Sequence, residues 1–66
     1  MTVILNGQPR PLEPGTTLPA LLAALELEDK RVAVEINGHI VPRGDHAATP
    51  LADGDRIEIV HAIGGG

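Results

Sequence analysis

The chain has 66 residues, no cysteine, no aromatic residue and a net charge of −4 at pH 7. A chain of this length makes one small domain, and without cysteine it has no disulfide framework, no thiolate zinc site and no catalytic thiol. The acidity argues against nucleic acid, which needs a patch of Lys and Arg for its phosphates, and no apolar run nears the eighteen or so residues of a membrane span.

Residues 2–5 are a short apolar run with β-branched members, which predicts a strand. Asn6-Gly7 is the strongest two-residue hairpin signal, and residues 8–12 are the expected return strand. Pro9 and Pro11 cannot donate to a ladder, which places that strand at a sheet edge. Pro14-Gly15 is a turn. Thr17 is a candidate N-cap, with Pro19 tolerable in the first helical turn. Leu18, Leu21, Leu22 and Leu25 follow at i, i+3, i+4 and i+7, one apolar stripe on a helix. Glu28, Asp29, Lys30 and Arg31 read as a solvated run, in which Lys30 and Arg31 suit the negative end of the helix dipole.

Val32, Val34 and Ile36 alternate with Ala33, Glu35 and Asn37, a half-buried strand. Asn37-Gly38 signals a second hairpin, with residues 39–41 as its short partner strand. Residues 42–52 show no period and read as a loop with room for one helical turn. Asp53-Gly54-Asp55 is a tight turn, and residues 56–63 form the last strand with Ile57 and Ile59 inward. An amphipathic helix and a sheet with one apolar face must pack together. The expected fold is α+β, a mixed sheet of four to five strands on one helix, with the two terminal strands side by side at the centre. The domain spans residues 1–63, and residues 64–66 form a flexible glycine tail.

Three consecutive glycines at a terminus arise by chance about once in three thousand, at a glycine frequency of about 7%. They present one reactive group, the carboxylate of Gly66. Few other residues offer chemistry. His39, His46 and His61 lie in separate elements and read as exposed or structural, with a local role for His61 near the tail left open. The Asp53-Gly54-Asp55 turn lacks the further oxygen ligands of a calcium loop. No carboxylate pair stands out as an acid/base dyad. The expectation is no catalytic residue and no metal in this chain. Strand parity leaves Ile4, Val60 and Ala62 outward, a small apolar patch at the tail root expected to dock a partner.

Together, Asn6-Gly7, Thr16-Thr17-Leu18, residues 34–43 (VEINGHIVPR), residues 51–59 (LADGDRIEI) and the terminal glycines resemble the ubiquitin-like β-grasp sulfur carriers, most nearly the thiamine-biosynthesis (ThiS) type. The resemblance spans essentially the whole chain. It departs in ending on three glycines where the family pattern has two. It implies that an E1-like adenylyltransferase (ThiF-type) uses ATP and Mg to adenylate the terminal carboxylate. Sulfur from a donor such as a cysteine desulfurase then makes a thiocarboxylate on Gly66, and a thiazole synthase (ThiG-type) receives it. The carrier itself binds no cofactor and works in the cytoplasm, a setting that the lack of cysteine and of any visible signal peptide suits. Gly64 and Gly65 would thread the partner's active site, since glycine allows the closest backbone approach. Residues 62–66 can reach roughly 17 Å at about 3.4 Å per residue. Two alternatives stay open: a small subunit of molybdopterin synthase, and a β-grasp interaction module with an inert tail.

Overall fold

The first hairpin shows how the sequence chooses its pairing. In the computed structural model, which describes residues 1–61, β1 (Thr2–Leu5) pairs antiparallel with β2 (Gln8–Pro11). The turn between them has Asn6 and Gly7 both at positive φ, 49° and 82°, as a primed two-residue turn requires. Pro9 faces Ile4 and Pro11 faces Thr2. Between these pairs the ladder exchanges its hydrogen bonds, and it continues to Met1, whose backbone bonds Leu12 in both directions (2.6 and 2.9 Å). The prolines therefore occupy positions that need no N–H, on a strand that is an edge of the sheet.

The helix α1 covers Leu18–Ala24, and the Thr17 hydroxyl caps it by accepting from the Ala20 amide at 3.2 Å. Its C-terminal end has no glycine. Leu27 N–H instead donates to Leu22 C=O (2.8 Å) and Glu26 N–H to Ala23 C=O (3.0 Å). This is a Schellman closure with Glu26 at φ 60° in the left-handed position that glycine usually fills. Two further strands, β3 (Val32–Ile36) and β4 (His39–Val41), form the second hairpin across Asn37-Gly38. The 42–52 segment holds one 3₁₀ turn, Arg43–Asp45. The last strand, β5, is described over Arg56–His61.

The five strands lie in the order β2-β1-β5-β3-β4, with β1 and β5 parallel and the other pairs antiparallel. The expected α+β mixed sheet is what forms, and the terminal strands do meet at its middle. Leu18, Leu21 and Leu22 of the helix bury against Val3, Val34, Ile36, Ile57 and Ile59 of the sheet. A fully buried leucine such as Leu21 contributes roughly 2 kcal/mol of transfer free energy, so the helix stripe and the inner sheet face hold each other in place. The predicted return strand ends one residue early, at Pro11, and the last two residues of the predicted final strand lie outside the described residues.

Candidate functional site at the root of the C-terminal strand

The strand that leads to the glycines is held on both sides by neighbouring strands. On one side β5 pairs with β3 over five residues, from Ile36↔Ile57 to Val32↔His61. On the other side β1 gives two backbone bonds, Ile4 N–H to Asp55 C=O and Asn6 N–H to Ile57 C=O, each 2.8 Å. There β1 turns away, and the Asn6 side chain takes over the ladder. Its Oδ1 accepts from Ile59 N–H at 2.9 Å and its Nδ2 donates to Ile59 C=O at 3.2 Å. A side-chain amide thus imitates one more strand residue and ties β5 within two residues of its last described position.

Asn37 does the equivalent work at the start of β5. Its Oδ1 accepts from Arg56 N–H (3.0 Å) and its Nδ2 donates to the Asp55 carboxylate (2.9 Å). Asp55 also accepts from Ala52 N–H (2.8 Å), and Asp53 accepts from Thr2 N–H (2.7 Å). The carboxylates of the Asp53-Gly54-Asp55 turn serve backbone amides, as the turn reading expects. Among the described residues no group of three His, Cys, Asp or Glu could hold a metal.

Of the expected docking residues, Ile4 and Val60 are described and Ala62 is not. Val60 is 60% exposed and lies opposite Ala33 on the outer sheet face. Ile4 is half-buried and lies opposite Arg56, four residues from Val60 along β5, or about 13 Å at 3.3 Å per residue. The register therefore separates Ile4 from Val60 and gives Val60 other neighbours. Ile40 is 77% exposed, and it lies opposite Glu35, which in turn lies opposite Glu58. Ile40, Val60, Ala33, Glu35 and Glu58 share one shallow surface. Ile40 could have been found from the sequence by counting register across the two-residue Asn37-Gly38 turn, which pairs it with outward-facing Glu35. The glutamates meet as like charges directly opposite, an arrangement that costs stability in a sheet.

His39 and His61 are exposed, whereas His46 is 9% exposed and its ring Nε2 lies 3.2 Å from Val41 C=O. A carbonyl only accepts, so Nε2 carries the proton of this bond. His46 thus fastens the 3₁₀ segment to the end of β4, a structural role. Gly64, Gly65 and Gly66 lie outside the described residues.

Comparison with known proteins now adds to this geometry. The ThiS family model matches residues 3–66. The chain belongs to the ThiS family. A sulfur carrier protein ThiS from Thermus thermophilus is 44% identical over 64 residues, covering 97% of this chain and 98% of that one. A crystal structure of the thiamine biosynthesis protein ThiS from Geobacter metallireducens superposes with a TM-score of 0.84 at 33% identity over the full length of both chains. The fold is accordingly the ubiquitin-like β-grasp of that family. A thiazole synthase from Magnetococcus marinus is 48% identical over 66 residues, but the chain spans only 20% of its length. The chain spans about one fifth of the length of such thiazole synthase relatives.

Proposed function

We propose that this ThiS-family chain is a sulfur carrier of thiamine biosynthesis and a protein co-substrate with no catalysis of its own. The observation that carries the reading is the family match through residue 66, which takes in the glycines, two residues in sequence after the described end of the central strand. In this reading a Gly66 carboxylate oxygen attacks the α-phosphorus of Mg-ATP in an E1-like adenylyltransferase, and pyrophosphate leaves. Sulfur at the oxidation level of sulfide then attacks the acyl carbon. The bond to the adenylate oxygen breaks, AMP departs with that oxygen, and the thiocarboxylate remains. A thiazole synthase is the acceptor of the sulfur. Gly64 and Gly65 pass through the partner's channel because side chains would obstruct attack at the carbonyl.

Ordering a tail costs about 1–2 kcal/mol per residue, so the folded body must contribute binding energy. The outer sheet face around Val60 and Ile40 fits that need, and Glu35 and Glu58 fit a partner with basic residues there. Like charges held face to face in a sheet are relieved when cations of a partner reach them. Of the set first expected from strand parity, Val60 lies on this face, Ile4 lies away from it beside Arg56, and Ala62 lies outside the described residues.

Intact mass of the chain co-expressed with its native partners tests the chemistry: an oxygen-to-sulfur exchange should appear and be lost when Gly66 is deleted. A chain that stays unmodified beside active partners sinks the carrier reading. For the docking face, Val60→Asp should weaken binding to the adenylyltransferase about ten-fold, on the order of 1.4 kcal/mol, and leave the unfolding midpoint within error.

A further inference from the structure

Asn6 is joined to the last strand through its backbone and through both polar atoms of its side chain. Its N–H donates to Ile57 C=O (2.8 Å), its Oδ1 accepts from Ile59 N–H (2.9 Å) and its Nδ2 donates to Ile59 C=O (3.2 Å). Strand geometry sets the edge that these bonds serve. Arg56 turns its N–H and C=O to Asn37 on the β3 side. Successive residues of a strand turn theirs to alternate edges, so those of Ile57 and Ile59 face β1. On that edge the pairing of β1 with β5 ends at Leu5↔Ile57. On the other edge β3 stays paired as far as Val32↔His61. Past Ile57 the Asn6 carboxamide therefore takes the place of β1.

A strand paired on one edge is less constrained than one at the centre of a sheet, since two-stranded ribbons have the larger twist. Without the amide, β5 past Ile57 is half of such a ribbon with β3. The consequence grows with distance from Ile59. When extended, the seven residues 60–66 span roughly 24 Å at about 3.4 Å per residue, so a swing of about 10° at Ile59 moves their end by about 4 Å. A misplacement of about 1 Å at a reacting atom can cost on the order of a hundred-fold in rate.

We propose that Asn6 is a positioning residue for adenylation: its carboxamide fixes the direction in which β5 delivers the terminal residues to the adenylyltransferase. The inference rests on the sulfur-carrier reading above. The residue type fits the role. Asparagine carries a donor and an acceptor on one short planar group, and it tolerates the left-handed backbone of the turn, φ 49° here. Two bonds from that plane to both groups of Ile59 set an orientation as well as a distance. Aspartate keeps the acceptor for Ile59 N–H but sets a carboxylate oxygen against Ile59 C=O.

The test follows pyrophosphate release by the chain's own adenylyltransferase. The kcat and the KM for the intact chain are measured well below the unfolding midpoint of each variant. Asn6→Gly should lower kcat about ten-fold and leave KM within about two-fold, because the face around Val60 and Ile40 is untouched. Asn6→Asp, which loses the donor only, should lower kcat about three-fold, and it carries the test if the glycine variant does not fold. Asn37→Gly removes amide bonds from the other end of β5 and should leave both constants within about two-fold, which separates aiming from general loss of stability. Unchanged kcat in the folded Asn6 variants, a loss confined to KM, or an equal loss in Asn37→Gly overturns the positioning role and leaves the carrier reading standing. A wild-type chain that yields no pyrophosphate with its own active adenylyltransferase overturns both.

Discussion

The two Asn-Gly turns have the same sequence and almost the same backbone, with asparagine φ of 49° and 51° and glycine φ of 82° and 84°. Their side chains do different work. Asn6 bonds both the N–H and the C=O of Ile59 near the tail end of β5, at a partly buried position. Asn37 bonds the N–H of Arg56 and the Asp55 carboxylate at the start of β5, at an exposed position. The local code sets the turn, and the tertiary neighbour decides what the amide is for. Asn6 extends a ladder that β1 has abandoned, while Asn37 locks the entry into the last strand.

Replacing each asparagine by glycine breaks this comparison cleanly, since glycine accepts positive φ and only the amide bonds are lost. Asn6→Gly should show the largest effect, about 2 kcal/mol, because two backbone groups near the sheet centre lose their partner. Its urea midpoint should fall, and the Ile59 amide should exchange faster with solvent. Asn37→Gly should cost less, about 1 kcal/mol, because Arg56 N–H and Asp55 are exposed and water replaces the amide. Equal losses from the two variants would mean that the Ile59 bonds add nothing beyond the turn itself. If Asn6 also aims the tail, Asn6→Gly should slow adenylation by more than Asn37→Gly at equal folded fraction.

Much of this was legible from residue order. Alternation in Val32, Val34 and Ile36, the Leu18 to Leu25 spacing and the two Asn-Gly signals each specify an element, because one local period or turn chemistry suffices. The prolines at 9 and 11 even marked the edge strand. The docking surface was less legible. Parity along β5 put Val60 outward, but Ile4 appeared to be its neighbour because the β1–β5 register is a tertiary fact. That register places Ile4 beside Arg56 and leaves Ala33 and Glu35 of β3, with Ile40 of β4, around Val60. Least legible is a cleft lined by residues of separate elements: Lys30 and Arg31 read as helix-end charges, and nothing in the sequence brings Arg43 and His46 to one cleft with them until α1, β3 and the 3₁₀ turn are assembled.

A third left-handed residue sharpens what asparagine contributes. Glu26 has φ 60°, yet it is exposed, and among the described residues its side chain makes no bond of the kind made by Asn6 and Asn37. Its backbone is fixed by the Schellman bonds to Ala23 and Leu22. A non-glycine residue in this conformation costs roughly 1–2 kcal/mol, and glycine's extra unfolded-state entropy takes back up to about 1 kcal/mol. Glu26→Gly should therefore stabilise the domain slightly, by about 0.5–1 kcal/mol, the reverse sign of both asparagine variants. For a domain of this size that corresponds to a rise of roughly 2–8 °C in Tm, readable by calorimetry. A lower Tm would show that the glutamate carboxylate stabilises this turn by a route other than its backbone.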